Sequence, residues 1–136
     1  MAWRHYPDTI AVAVTTIDEY LAAARARLNR VTPEQLETVV AQGAVLVDIR
    51  PDVNRLEEGH LPGALVVDRG VLEWRLAPSS DARVVDLEPG QMVILVCNDG
   101  YQSSLAAAAL IDLEIPGATD LVGGYRAWKR QGTSAG

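Results

Sequence analysis

The chain has 136 residues, 49% of them apolar and 22% charged, with a net charge of −6. This suits one domain with a real core and argues against disorder. An acidic balance without a basic run disfavours nucleic acid as a partner, and no apolar run approaches a membrane span. Two distant histidines, His5 and His60, match no metal-ligand spacing, and Gly123-Gly124 is a bare pair rather than a phosphate loop, so neither metal nor cofactor is expected.

Residues Met1 to Thr15 read as a loosely packed leader, with Arg4, His5 and Asp8 where a secretory signal would be apolar. Cys97 is the only cysteine, so no internal disulfide can form; both features point to the cytoplasm. Ile17, Leu21, Ala24 and Leu28 recur at helical spacing after the caps Thr15 and Thr16, and Arg25, Arg27 and Arg30 read as the solvated, cationic end of that helix. Val31 is expected in a short strand, followed by the cap Thr32, Pro33 at the first helical position, and a helix to about Gln42 stopped by Gly43.

Val45 to Arg50 is a buried-type strand ended by Pro51, and the turn-rich Gly59 to Gly63 leads into a second strand, Ala64 to Val67. Val71 to Leu76 forms a short helical turn and Ala77 to Gly90 is mostly loop. Met92 to Val96 is the third clear strand, Gln102 to Leu113 a helix, Ala118 to Val122 a fourth strand and Gly124 to Gln131 a last helix. Continuous Val, Leu and Ile strands alternating with helices describe an α/β domain with a parallel sheet covered on both faces. Sites in such sheets lie at the carboxyl ends of strands, where Cys97 stands between a strand and a helix.

A strand-to-helix loop can aim several N–H groups at one sulfur, and the helix behind it adds the positive end of its dipole. Gly100 suits so tight a cradle. The bland alternative, a small core hydrophobe, fits Cys97 less well because its position and loop argue for exposure.

Three separated signatures resemble the rhodanese-like domains: Val47-Asp48-Ile49-Arg50 followed by Gly59-His60-Leu61-Pro62-Gly63-Ala64; Cys97-x-x-Gly100-x-x-Ser103; and Leu121-Val122-Gly123-Gly124-Tyr125-x-x-Trp128. They run in family order from about Val31 to Gly132, which implies an N-terminal extension with a helix over 1–30, a rhodanese-like domain over 31–132 and a tail over 133–136. The resemblance further implies a central five-stranded parallel sheet and sulfur transfer through a Cys97 persulfide. Thiosulfate is then the usual test donor, with cyanide or a thiol as acceptor.

Under that reading the substrate-binding residues are Asn98, Asp99, Gly100, Tyr101, Gln102 and Ser103, whose N–H groups would hold charge on the outer sulfur. The six-residue loop resembles the sulfur-transfer class. A related phosphatase or arsenate reductase would carry a C-x5-R pattern, and here the residue after five intervening positions is Ser103, with no guanidinium for a phosphoryl group.

Two departures stand out. Asn98, Asp99 and Gln102 leave the loop without the cation common in the family, and the Asp99 carboxylate would repel a dianionic donor. Weak use of thiosulfate follows, with a neutral or cationic donor or a protein persulfide carrier as alternatives. Arg69 and Arg75 would restore positive potential by folding over the pocket, and Trp74 reads equally as pocket wall or core. Second, Arg55 stands where an acidic residue is usual, which puts the pairing of Arg50 in doubt and offers Asp52 as substitute. Asp48, Arg50, His60 and Trp128 read as structural. A rhodanese-fold binding or sulfur-sensing module with little turnover is the competing reading.

Overall fold

The computed structural model describes residues 15–134; the leader before Thr15 lies outside the described residues. The element order is α1 (Ile17–Arg25), α2 (Pro33–Ala41), β1 (Val45–Asp48), α3 (Asp52–Glu58), β2 (Leu65–Val66), a 3-10 turn (Arg69–Val71), α4 (Leu72–Leu76), β3 (Val93–Val96), α5 (Gln102–Ile111), β4 (Ala118–Asp120) and α6 (Gly124–Ser134). The sheet is parallel in the order β2-β1-β3-β4. Among the described residues, no helix is long and apolar enough to cross a membrane.

Strand alternation divides the core. Val47, Val93, Leu95 and Cys97 join Leu72, Leu76, Ala106, Ala107 and Leu110 on the α4 and α5 face. Leu46, Ile94 and Val96 join Leu36, Leu61, Leu121 and Tyr125 on the α2 and α6 face, with Trp128 packed against them. Cys97 continues the odd-numbered register of β3, so its side chain lies on the face that α5 covers.

The sheet has four strands among the described residues, not the five expected. The fifth shrinks to a single parallel bridge between Val31 and Leu121, in which the Val31 N–H donates to Asp120 O at 3.0 Å and Val31 O accepts from Val122 N–H at 2.8 Å. Pairing stops there because Thr32 caps α2 and Pro33 opens it. Helix α3 is absent from the sequence expectation. It buries only Arg55 and exposes Val53 and Leu56, so it shows no apolar stripe to read.

A buried ion pair fixes the end of β1. Arg50 Nε and Nη2 hold Asp48 at 3.0 and 2.7 Å, Arg50 Nη2 also donates to Gly59 O at 2.9 Å, and the guanidinium lies 3.7 Å from the Tyr125 ring centroid. Arg50 therefore keeps Asp48 as its partner. Asp52 pairs with Arg55 instead, and Arg55 also donates to Arg50 O. His60 is exposed, and the turn after α3 is held by Arg50 and by Tyr125, whose hydroxyl donates to Glu58 O at 2.8 Å.

Arg50→Met leaves a buried carboxylate without its main partner and is expected to cost about 3–5 kcal/mol in urea unfolding; a cost below about 1 kcal/mol would show that the pair does not brace β1.

Candidate active site

Cys97 follows β3 directly, and its Sγ accepts hydrogen bonds from the N–H of Gly100 at 3.2 Å and of Ser103 at 3.3 Å. Its own S–H donates to Ser103 Oγ at 3.2 Å. The sulfur is buried, with the residue 7% exposed, rather than open as the sequence suggests, because Ile49, Val67 and Leu72 pack in the same cluster. The hydrogen bonds to sulfur come from Gly100 and Ser103, not from all six loop residues.

Backbone contacts shape this loop from outside. The Cys97 carbonyl accepts the N–H of Tyr125 at 2.9 Å, and the Asn98 carbonyl accepts that of Arg126 at 3.1 Å, both from the first turn of α6. Two glycines permit that approach: a Cβ on Gly124 would sit 2.5 Å from Cys97 O, and φ is +65° there. Gly100, at φ +85°, would bring a Cβ within 2.8 Å of Gly123 N. Gly124 and Gly100 are thus what let α6 close on the Cys97 loop, while Gly123, at φ +75°, would meet Ala127 of its own helix.

The sequence reading misses a buried carboxylate beneath the sulfur. Asp120, at the end of β4, is fully buried. Its Oδ2 accepts the hydroxyls of Ser103 and Ser104, each at 2.7 Å, and Arg30 Nε donates to its Oδ1 at 2.8 Å. A hydroxyl has one proton, and the short bond from Ser103 commits it to the carboxylate. Ser103 therefore turns a lone pair toward Cys97 and receives the thiol proton. An aspartate three residues before a glycine pair carries no motif that would have marked it.

The arginines read as a solvated helix end divide. Arg27 does reach an exposed partner, Asp112, at 2.5 Å, an ion pair that raises the arginine and lowers the aspartate from their ordinary pKa values through the hydrogen bond between them. Arg25 and Arg30 instead are part-buried behind the loop, with both donating to Gly100 O, at 2.7 and 3.1 Å. Their roles depend on a long-range meeting that helical spacing does not encode.

The other expected site residues scatter. Asp99 is exposed but paired with Arg126 Nη1 at 2.7 Å, so its charge is locally offset by a residue far along the chain. Tyr101 and Gln102 are exposed, and Asn98 keeps a buried Oδ1 without a protein partner. Arg69 is bound to Glu73 at 2.9 Å and Arg75 donates to Ala82 O at 3.2 Å, so neither cation is bonded to the loop. Trp74 is 61% exposed and is not core.

Arg126 also grips Glu58 through two bonds of 2.9 Å, which, with Asn54, hold that carboxyl down at about 2 and raise the arginine in turn. A carboxyl lowered in the folded state contributes stability above its ordinary value and loses it as pH falls through the lowered one. In low salt, Glu58→Gln should therefore lose less melting temperature than wild type between about pH 5 and about pH 2.5; parallel losses would overturn the assignment.

Comparison with known proteins agrees with this geometry. The rhodanese-like domain family model matches residues 32–131. A thiosulfate sulfurtransferase GlpE of Pseudomonas syringae is 31% identical over 101 residues, covering 74% of this chain and 87% of the relative. A solved Rhodopseudomonas palustris structure, described as a protein of unknown function and possible tyrosine phosphatase, superposes with a TM-score of 0.74 at 26% identity, covering 94% of this chain and 97% of its own. The human single-domain sulfurtransferase TSTD1 shares the fold at a TM-score of 0.62 and 22% identity, over 75% of this chain and 96% of its own. With the family model matched over residues 32–131, most of its length, this chain belongs to the rhodanese-like domain family.

Proposed function

We propose that the protein is a sulfurtransferase that carries a sulfane sulfur on Cys97. The observation that carries this reading is the convergence of the Gly100 and Ser103 N–H groups on a single sulfur at a strand end. Those donors stabilise negative charge wherever it sits on the sulfur chain, without proton transfer at each step. The thiosulfate sulfurtransferases among its relatives support the same chemistry.

In the first half-reaction the Cys97 thiolate attacks the outer sulfur of the donor. With thiosulfate, the new S–S bond forms as the old one breaks, its electron pair leaving with sulfite, and a Cys97 persulfide anion remains. In the second, an acceptor thiolate or cyanide takes the outer sulfur and returns the Cys97 thiolate. To free the thiolate, Ser103 Oγ takes the thiol proton as it gives its own to Asp120 Oδ2, so the proton lost by Cys97 ends on the Asp120 carboxyl. A phosphatase reading is not supported: position 103 is serine, so the loop supplies no guanidinium of its own for a phosphoryl group.

The charge of the mouth argues for a donor other than thiosulfate. Asp99 and Glu58 share the single guanidinium of Arg126 beside the loop, and the loop itself contributes no cation. A persulfide borne by another protein, or a neutral or cationic small donor, meets less repulsion than a dianion. A second reading, a sulfur-sensing module of low turnover, draws on the buried sulfur and on the Ser103 hydroxyl being drawn away from it by Asp120.

Incubation with polysulfide should add about 32 Da, one sulfur atom, to the intact mass, and Cys97→Ser should abolish the gain. No gain with either polysulfide or thiosulfate would refute the enzyme reading. Placing a cation at the start of α5, by Gln102→Arg, should raise kcat/KM for thiosulfate about tenfold while barely changing that for an uncharged organic trisulfide. An unchanged thiosulfate value would mean that charge at the mouth is not what limits this donor.

A further inference from the structure

We propose that Arg25 and Arg30 are positioning residues for the Cys97 loop, which makes helix α1 a working part of the site. The effect on turnover rests on the sulfur-transfer reading; the effect on Cys97 reactivity does not. Both arginines lie before the segment that matches the family model, residues 32–131, so the family pattern assigns them no role.

Arg25 Nη2 and Arg30 Nη2 donate to the same carbonyl, that of Gly100, at 2.7 and 3.1 Å. In a planar trans peptide the C=O and the following N–H point in opposite directions. Holding Gly100 O toward α1 therefore turns the Tyr101 N–H away from α1, toward the inside of the loop. Gly100 sits at φ +85°, and a glycine gives the adjoining peptide little steric resistance to turning over. A turned peptide would direct a carbonyl oxygen inward and replace attraction for an anionic sulfur by repulsion. The two guanidiniums block that turn.

Arg25 is built into the site at three points. Besides Gly100 O, its Nε donates to Ser104 Oγ at 3.1 Å, and its guanidinium lies 5.3 Å from the Tyr101 ring centroid. One side chain thus ties the loop to the first turn of α5. Arg30 ties the same carbonyl to Asp120, and Ser104 donates to that aspartate as well, which closes a circuit of Arg25, Ser104, Asp120, Arg30 and Gly100. The circuit also sets a net positive charge, two arginines against one aspartate, behind a loop that has no cation of its own.

Arg27 provides the control. It joins α1 to the far end of α5 through Asp112 without touching the loop. The test compares wild type with Arg25→Ala, Arg25→Lys and Arg27→Ala. The readouts are the pH profile of Cys97 alkylation by iodoacetamide, melting temperature, and persulfide loading from polysulfide. Arg25→Ala should slow alkylation near neutral pH about tenfold and move its profile to higher pH, Arg25→Lys should recover part of the loss, and Arg27→Ala should match wild type. An Arg25→Ala profile equal to wild type, or an Arg27→Ala profile as disturbed as Arg25→Ala, would overturn the proposal. If Arg25→Ala fails to fold, Arg25→Lys decides: a wild-type profile in that variant would likewise overturn it. Altered alkylation in a protein whose wild type takes up no sulfur would uphold the clamp and sink the transfer reading; normal uptake with unaltered alkylation in Arg25→Ala would do the reverse.

Discussion

The geometry of the site depends on which way the peptide units around Cys97 are turned. A carbonyl and an N–H are interchangeable in shape and opposite in sign, so a loop can cradle an anion or repel one with the same residues. Here the choice is enforced from three directions. The first turn of α6 takes the Cys97 and Asn98 carbonyls, the α1 segment takes that of Gly100, and α5 presents Ser103 N–H to the sulfur. Each helix could be regarded as packing for the sheet; together they set the polarity of one loop.

That arrangement explains why distant parts of the chain meet at Cys97. Alternation along β3 puts its sulfur on the α5 face, and the alanine-rich α5, with Ala106, Ala107 and Ala108 buried, can approach the sheet closely. Asp120 ends the neighbouring strand and lies under the same helix start. Its buried charge is tolerable because a guanidinium and two hydroxyls surround it. Ser103 then links the carboxylate to the thiol through two hydrogen bonds, giving its own proton to Asp120 and accepting that of Cys97, so the thiol and the helix start are fixed by one hydroxyl.

Strands β1 and β3, the helix after the nucleophile and the Gly100 cradle were legible in the sequence because local signals carry them: continuous Val, Leu and Ile runs, and a glycine following a thiol. Helix α3 was not, since it buries a charged residue, Arg55, and presents Leu56 to solvent. The fifth strand was overestimated because one bridging residue, Val31, and a whole strand look alike beside a helix cap. Asp99 carried its repulsive charge in the sequence, while its partner Arg126 could be found only in the folded chain. The same holds for Arg25 and Arg30, whose helical spacing describes a solvated end and whose partners, Gly100, Ser104 and Asp120, lie most of a chain length away.

The contact between α6 and the Cys97 loop has a consequence for how such a protein can change. Tyr125 and Arg126 support the loop through their main-chain N–H groups, and a main-chain donor is supplied by any residue but proline. The side chain at position 126 can therefore vary in charge while its main-chain bond to the loop stays as it is. The glycines at 100, 123 and 124 are what the geometry holds fixed. Support of the loop and charge at its rim are thereby written on separate atoms of one residue, so the charge can change without the loop being rebuilt.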